Sequence, residues 1–372
     1  MSDTDRPYMQ HALALGARGL GQVAPWPSVG CVLVKDGRVV GRGRSDRVTH
    51  RHAERMALDQ AGETARGATA YVTLEPCSHQ GSTPPCADAL IEAGIIRVVA
   101  ALEDPNPLVA GQGLARLRAA GVAVEVGLCA DQARAQHAGF LRVVQGGRPY
   151  LTLKLAASLD GRIATATGES QWITGPAARR LVHLMRARHD GVLVGGGTAR
   201  ADDPSLTVRG LGMTHQPVRV VWSRHLDVPL DGALARSAGE VPVWLCHGED
   251  ADAGAVAAWQ ARGARLFALP IGPSRHVEPD AALRALGQAG LTRIFCEGGG
   301  AMAASLMQAE MVDQLVIFTG GIALGAEGRP SLGALGLDRL ADAPGFTLRE
   351  MRPVGPDVMQ VWSRADAQRF DD

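Results

Sequence analysis

Four residues near the start of the chain have the types and spacing of a catalytic zinc site. One residue separates His52 from Glu54, and Cys77 and Cys86 follow with eight residues between them. One imidazole and two thiolates form a three-ligand zinc set, which leaves a fourth position open for water. Glu54 is placed to move protons for that water without binding the metal. This chemistry is typical of the hydrolytic deamination of a nucleobase-like ring.

The cysteine spacing leaves a second interpretation open. Zinc deaminases of nucleobases place two residues between their cysteines, whereas here eight polar, turn-forming residues form a predicted loop. The alternative is that Cys77 and Cys86 are small buried residues without a metal. Neither cysteine lies in an apolar run, and both follow the pair His52 and Glu54. We therefore favour the zinc site.

The composition restricts the class of protein. The chain has 372 residues, 46% of them hydrophobic and 20% charged, with no net charge, which predicts a globular protein of two domains or three. Zero net charge gives no electrostatic footprint for nucleic acid or a membrane surface. The N-terminus lacks the features of a signal peptide, and no apolar run approaches the ~20 residues that cross a bilayer. The six scattered cysteines do not form a disulfide framework. We expect a cytoplasmic protein without a nucleic-acid or membrane partner.

Two α/β patterns follow one another, with a boundary near the glycines at 146 and 147. In the first pattern the metal-binding candidates fall near helix starts that follow strands, and we place His52 in the first turn of its helix. We predict first-half helices at 6–19, 52–61 and 112–120, another opening at Cys86, and strands at 29–35, 38–41, 68–74, 95–102 and 122–126. We predict second-half strands at 150–156, 191–194, 217–222, 241–246, 293–296 and 314–319, and helices at 175–188, 281–289 and 301–309.

Two glycine clusters in the second half follow predicted strands. They are Gly195 to Gly197 and Gly298 to Gly300. A glycine turn between a strand and a helix can point backbone N–H groups at a phosphate, although ordinary turns also use glycine. Neither cluster has the spacing of a Rossmann fingerprint. Lys154, one of only two lysines, lies in an apolar predicted strand. Its compact charge differs from an arginine fork, which hints at a specific role, although chance placement explains it equally well.

Read in order, the motifs resemble the bacterial bifunctional deaminase–reductase family of riboflavin biosynthesis. The resemblance covers nearly the whole chain. The motifs that carry it are His52-Ala-Glu54, Tyr71-Val-Thr-Leu-Glu-Pro-Cys77, Thr83-Pro-Pro-Cys86, Asp104-Pro-Asn106, Lys154-Leu-Ala-Ala-Ser-Leu-Asp160, Gly168-Glu-Ser170-Gln-Trp172, Ala201-Asp-Asp-Pro-Ser-Leu-Thr-Val-Arg209, Glu297-Gly-Gly-Gly300 and Val354-Gly-Pro-Asp357.

The resemblance implies a fold, two cofactors and two activities. Residues 1–146 would form a three-layer, cytidine-deaminase-like domain, and residues 147–372 a dihydrofolate-reductase-like domain. The first would use zinc held by His52, Cys77 and Cys86, with Glu54 as the proton carrier. It would deaminate 2,5-diamino-6-(5-phosphoribosylamino)pyrimidin-4-one. The second would use NADPH to reduce the ribosyl chain, giving 5-amino-6-(5-phosphoribitylamino)uracil. Partners would be these small phosphoribosyl pyrimidines, and enzymes of this size usually form symmetric homo-oligomers.

The family pattern also assigns residues of this chain to two sets of binding positions. The cofactor positions are Ala156, Trp172, Thr198, Asp202, Ser223, Gly299, Gly300, Ala301, Met302, Ala303, Ala304 and Ser305. The substrate positions are Asn106, Lys154, Asp160, Ser170, Arg186, Leu206, Arg209 and Glu297. Two of them, Arg186 and Arg209, have guanidinium groups suited to a sugar phosphate.

Three departures from the family pattern fall in the deaminase substrate pocket. Trp26 stands where the family usually has Asn, Ser45 where it has His, and Ser82 where it has a basic residue. They suggest an alternative in which the zinc site is intact but the deaminase substrate has changed or been lost, beside an active reductase. Two further alternatives are a deaminase for another base and a purely structural zinc module.

Overall fold

The computed structural model describes residues 4–79, 84–107, 109–272 and 275–364. Contacts divide the chain into two compact units, Met1–Gly147 and Arg148–Asp372. Each unit has hydrophobic clusters of its own, formed only by its own residues. The mixed α/β fold predicted from the sequence is confirmed in both units.

The first unit contains one five-stranded sheet between two layers of helices. Its strands are β1 (Gly30–Lys35), β2 (Arg38–Arg44), β3 (Thr69–Val72), β4 (Arg97–Ala100) and β5 (Ala123–Val126). Its helices are α1 (Arg6–Ala17), α2 (Ala53–Ala61), α3 (Cys86–Glu92), α4 (Gln112–Ala119) and α5 (Ala130–Gly146). The strand order is β2-β1-β3-β4-β5, with β1 antiparallel to both neighbours and β3, β4 and β5 parallel.

Glycines in the first two strands allow helices to approach both faces of this sheet. A Cβ atom at Gly30 would overlap the carbonyl oxygen of Ala12 in α1, and one at Gly43 would overlap that of Ala53 in α2. Gly30 and Gly43 belong to adjacent register pairs, so they point to opposite faces. The result is the three-layer arrangement, and α2 is thereby held directly over the hairpin that precedes it.

The second unit contains a nine-stranded sheet. Two further strands, β7 and β14, form a separate two-stranded ribbon. The strands of this unit are β6 (Tyr150–Ala157), β7 (Arg162–Ala164), β8 (Gly191–Gly195), β9 (Val218–Trp222), β10 (Val243–Gly248), β11 (Arg265–Leu269), β12 (Arg293–Cys296), β13 (Gln314–Thr319), β14 (Arg329–Pro330), β15 (Phe346–Val354) and β16 (Asp357–Arg364). Its helices are α6 (Pro176–Ala187), α7 (Gly196–Asp202), α8 (Ala233–Arg236), α9 (Ala253–Ala261), α10 (Pro279–Gln288) and α11 (Gly300–Gln308).

The order of the large sheet is β11-β10-β9-β8-β12-β6-β13-β16-β15. The seven strands from β11 to β13 are parallel, and β16 pairs antiparallel with both β13 and β15. Ligands of open parallel sheets bind beyond the carboxyl ends of the strands. In this unit that edge carries the residues after β6, β8, β9 and β12.

Several predicted elements are wrong in detail. His52 is not in the first turn of α2 but caps it, with an extended backbone (φ −76°, ψ 154°). The strand predicted at 68–74 ends at Val72. Thr73 still bonds Gly30 of β1, but the Gly30 N–H donates to the Thr73 hydroxyl and not to a backbone carbonyl. The 17-residue helix α5 and the strands β11, β15 and β16 were not predicted.

Candidate zinc centre and reductase site

Three potential metal ligands meet where β3 ends and where α2 and α3 begin. The Nδ1 atom of His52 lies 3.5 Å from the Cys77 Sγ and 3.2 Å from the Cys86 Sγ, and the three ligand atoms all lie within 4.8 Å of one another. Tetrahedral zinc with ordinary bond lengths separates its nitrogen and sulfur ligands by about 3.5 Å. The donor set and its spacing therefore fit zinc, with a fourth position left for water.

The two thiols and the imidazole influence one another's ionisation. The pKa of Cys77 is lowered to about 4, mainly because the Cys86 thiol donates a hydrogen bond to it, with His52 as a further cause. The Cys86 backbone N–H, at the start of α3, also donates to the Cys77 Sγ over 3.3 Å. A thiolate is the form of cysteine that binds zinc. The local structure thus favours the thiolate at Cys77, whereas the hydrogen bond to Cys77 and burial raise the pKa of Cys86.

Glu54 lies in the first turn of α2 and is only 3% exposed. Its burial is the largest cause of a pKa raised to about 7, while the nearby His52 opposes the shift. A carboxyl group that exchanges its proton near neutral pH is suited to general acid–base catalysis. Glu54 lines the same cavity as His52 and Cys77.

Glu75, two residues before Cys77, has a buried side chain whose role was not predicted. Its side-chain oxygens accept hydrogen bonds from the backbone N–H groups of Asp104, Gly111, Gly113 and Leu114, over 2.8–3.2 Å. These bonds tie the end of β3 to the loop that carries Asn106. The only signal in the sequence was an acidic residue between a predicted strand and a metal ligand.

The metal-binding residues open into a cavity of about 360 Å³. Asn106, a predicted substrate residue, lines this cavity, as do Trp26 and Ser45, two of the three departures from the family pattern. Trp26 packs edge-on against His50, with ring centroids 5.2 Å apart. The Ser45 hydroxyl accepts a hydrogen bond from the Val29 N–H over 3.0 Å, so it links its own loop to the backbone that precedes β1. The third departure, Ser82, lies outside the described residues.

The second unit collects charged groups where β12 ends. Glu297 follows β12 and forms a two-point ion pair with Arg186 of α6, with distances of 2.5 Å and 3.1 Å. Burial opposes ionisation of Glu297, but Arg186 and Lys154 outweigh it, and the pKa of the carboxyl group is lowered. Burial lowers the pKa of Lys154, and Glu297 opposes that shift. Three predicted substrate residues therefore form one electrostatic cluster.

The two glycine clusters lie beside each other at this edge. A Cβ atom at Gly299 would lie 3.7 Å from the Thr198 Oγ1, and one at Gly196 would lie 2.8 Å from the Ser223 Oγ. A Cβ atom at Gly197 would meet nothing within 4 Å. Helices α7 and α11 begin at these glycines. Glycine N–H groups next to open space suit a phosphate-bearing cofactor such as NADPH.

The other predicted residues of this unit differ in their surroundings. Trp172 is 66% exposed, and the guanidinium of Arg179, which the sequence analysis missed, stacks on its ring at 4.4 Å. Leu206 is buried with a left-handed backbone (φ 53°). Ser223 donates a hydrogen bond to Asp227.

The carboxylate of Asp160 binds the Ser158 hydroxyl and the N–H groups of Leu324 and Gly325, so it organises loops. Most of the other predicted residues lie near the strand ends that form this edge. Ala156 lies in β6, Asp202 ends α7, Gly300, Ala301, Met302, Ala303, Ala304 and Ser305 form the first turns of α11, and Ser170 and Arg209 are exposed.

Comparison with known proteins decides the family. Residues 149–360 match the RibD C-terminal domain, and residues 2–102 match the zinc-binding region of cytidine and deoxycytidylate deaminases. The riboflavin biosynthesis protein RibD of Escherichia coli K12 is 44% identical over 366 residues, which is 95% of this chain and 98% of that protein.

The chain belongs to the RibD family.

Two solved structures agree with this assignment. Acinetobacter baumannii RibD is 37% identical, covers 97% of this chain and 99% of its own, and superposes with a TM-score of 0.86. A Thermotoga maritima deaminase/reductase is 31% identical over the same shares, with a TM-score of 0.85. The predicted cytidine-deaminase-like and reductase folds are confirmed by these matches.

As a RibD family member, the chain is a bifunctional enzyme of riboflavin biosynthesis, with a zinc-dependent deaminase half and an NADPH-dependent reductase half. The alternative of a deaminase with a changed or lost substrate receives no support from the comparisons. Among the described residues no helix combines the length and the apolar character needed to cross a membrane.

Proposed function

We propose that the first unit deaminates 2,5-diamino-6-(5-phosphoribosylamino)pyrimidin-4-one and that the second reduces the deaminated product to 5-amino-6-(5-phosphoribitylamino)uracil. The observation that carries the proposal is the convergence of His52, Cys77 and Cys86 beside a buried Glu54. The Thermotoga maritima relative is a diaminohydroxyphosphoribosylaminopyrimidine deaminase/5-amino-6-(5-phosphoribosylamino)uracil reductase. We assign residues 1–146 to the deaminase and 147–372 to the reductase.

In the deaminase, His52, Cys77 and Cys86 would hold zinc, which would supply Lewis-acid activation of water. The Glu54 carboxylate accepts a proton at its side-chain oxygen and passes it to the amino nitrogen that leaves as ammonia. Asn106 orients the pyrimidine, and Glu75 holds the Asn106 loop in place. The buried position of Glu54 keeps bulk water away from the proton transfer.

In the reductase, bound NADPH would supply the hydride. The glycine turns after β8 and β12, with Thr198, Ser223 and Trp172, would hold the cofactor. Lys154, Arg186, Arg209 and Glu297 bind and orient the phosphoribosyl chain. Orientation of the two reactants accounts for most of the rate enhancement expected of such a site.

We also propose that the enzyme works in the cytoplasm as a symmetric homo-oligomer that binds neither nucleic acid nor membranes. Six free cysteines, four of them buried, support a reducing compartment. Gel filtration with light scattering tests the oligomeric state.

Two coupled assays test the proposed function. With the diaminopyrimidinone substrate, wild-type protein should release ammonia first and oxidise NADPH only afterwards. Glu54→Gln should stop both with this substrate, yet should still oxidise NADPH when given the deaminated intermediate. A wild-type protein that oxidises NADPH without releasing ammonia would contradict the assignment of the first unit.

A further inference from the structure

The deaminase cavity has two chemically different ends. Its inner end is formed by Glu54, Leu74 and Cys77, of which Glu54 and Leu74 are 3% and 2% exposed. Its mouth is formed by exposed residues, including Trp26, Arg47 and His50. A substrate whose ring reacts beside Glu54 must extend its other end toward this mouth. On the proposed function, on which this inference rests, that end is a ribose 5′-phosphate.

Several basic residues surround the mouth, and two of the arginines already have partners. Arg51 lines the cavity and forms an ion pair with Asp59. Arg44 lies outside the cavity lining and donates to the Arg18 carbonyl. His79 lines the cavity near Asp104, where burial raises the pKa of the Asp104 carboxyl and the proximity of His79 opposes that shift. Arg47 lines the cavity and, in the part of the chain that the structure describes, forms no ion pair or hydrogen bond.

The loop that carries Arg47 and His50 is held in a defined shape. Asp46 accepts hydrogen bonds from the Thr49 N–H and hydroxyl, over 3.1 Å and 2.5 Å, and its own N–H donates to the Arg51 carbonyl. His50 has a left-handed backbone (φ 52°), which is uncommon outside glycine. This conformation places its ring against Trp26 at the mouth of the cavity.

We propose that Arg47 and His50 form the phosphate subsite of the deaminase, with Trp26 as the residue that positions the His50 ring. Arg47 contributes a guanidinium fork that can bind two phosphate oxygens, and His50 contributes an imidazole N–H. This subsite supplies a cationic group at the mouth of the cavity, which the neutral Ser45 hydroxyl, an acceptor for the Val29 N–H, does not provide. The residues are therefore determinants of specificity for the phosphorylated substrate.

The test compares ammonia release from two forms of the substrate, the 5′-phosphate and the same compound after phosphatase treatment. Wild-type protein should prefer the phosphorylated form. Arg47→Ala should lose most of this preference through a rise of about 10- to 100-fold in KM for the phosphorylated form, as expected for a charge-assisted hydrogen bond. His50→Ala and Trp26→Ala should reduce the preference in the same direction. Zinc content is measured for each variant.

Arg42→Ala is the matched control, since Arg42 is exposed on β2 and lies outside the cavity lining. It removes the same charge and should keep the wild-type preference. The inference is overturned if Arg47→Ala keeps the preference, or if Arg42→Ala loses it equally. A wild-type protein that deaminates neither form would instead overturn the proposed function, and the phosphate subsite with it.

Discussion

Three charged side chains, Lys154, Arg186 and Glu297, are close enough at the carboxyl edge of the second sheet to shift one another's ionisation. Glu297 is the central member, because it alone carries negative charge and satisfies the Arg186 guanidinium at two points. Removing one partner of a buried pair costs more than the pair contributes, since the remaining charge loses its compensation.

Glu297→Gln should therefore lower the kcat/KM of the reductase by about 100-fold or more, because a neutral amide orients Arg186 poorly and leaves two cations together. NADPH oxidation with the deaminated intermediate measures the loss. Ammonia release, which depends on the other unit, should stay within about twofold of wild type. Equal losses in both assays would indicate general unfolding and contradict a local role.

His189 provides a pH-dependent contribution to stability. It is buried, with Nδ1 hydrogen-bonded to the Met185 carbonyl and Nε2 to the Thr152 hydroxyl. Burial, with Arg293 as a second cause, lowers its pKa from 6.5 to about 3. Below about pH 6.5 the unfolded chain takes up a proton that the folded chain does not. Acidification toward pH 3 therefore favours the unfolded state.

When the pH falls from about 7.5 to 5, His189 should lower the free energy of unfolding of the wild-type protein by about 2 kcal/mol. Urea unfolding followed by tryptophan fluorescence suits the measurement, because five of the six tryptophans lie in the second unit. His189→Gln keeps a donor and an acceptor but does not titrate, so it should lose about 2 kcal/mol less over this range. Identical pH profiles for the two proteins would refute the buried, neutral state.

At the scale of helices and strands, close backbone contacts position the zinc ligands. Helix α2 begins directly after His52, and β2 approaches it through Gly41 and Gly43. The distance between this helix and the sheet therefore fixes where His52 and Glu54 lie relative to Cys77.

Gly43→Ala should destabilise the first unit by about 1–3 kcal/mol or more, because the added methyl group overlaps the Ala53 carbonyl. The temperature at which ammonia release is lost measures the effect. Gly146→Ala is the control, since its Cβ would meet only the Arg142 side chain at 3.5 Å. A Gly43→Ala variant as heat-resistant as wild type would show that this contact does not limit the helix position.

The sequence predicted the elements whose patterns are local and missed those whose patterns are not. The Asp36-Gly37 turn joins β1 to β2, with both residues at positive φ as such a turn requires. In contrast, α5 buries mainly small residues such as Ala133 and Ala138, so its apolar stripe is weak. Strand β15 is exposed over most of its length, so no alternation marks it.

The candidate site shows the same division. The zinc ligands were found from their chemistry, and the structure brings His52, Cys77 and Cys86 together. The contact of Trp26 with His50 joins residues far apart in the sequence, and the capping of the Asn106 loop by Glu75 depends on a folded loop. Spacing in the sequence carries no information about either.

At the scale of the whole molecule, each unit has its own core and its own chemistry. The proposed zinc ligands and Glu54 belong to the first unit, and the glycine turns and the charged cluster of Glu297 belong to the second. The two activities should therefore be separable by treatments that act on one unit.

Removal of zinc by a chelator should abolish ammonia release while NADPH oxidation with the deaminated intermediate stays above about half of its initial rate. Added zinc should restore ammonia release, and metal analysis should give one ion per chain in the active protein. Chelation that stops both reactions equally would contradict independent chemistry in the two units.

Ammonia release from 2,5-diamino-6-(5-phosphoribosylamino)pyrimidin-4-one, without NADPH, tests the central claim most directly. Zinc-loaded wild-type protein should release one ammonia per substrate, and Glu54→Gln with the same zinc content should be slower by at least about 100-fold. Release that persists unchanged in Glu54→Gln, or no release from zinc-loaded wild-type protein that still reduces the deaminated intermediate, would contradict the account.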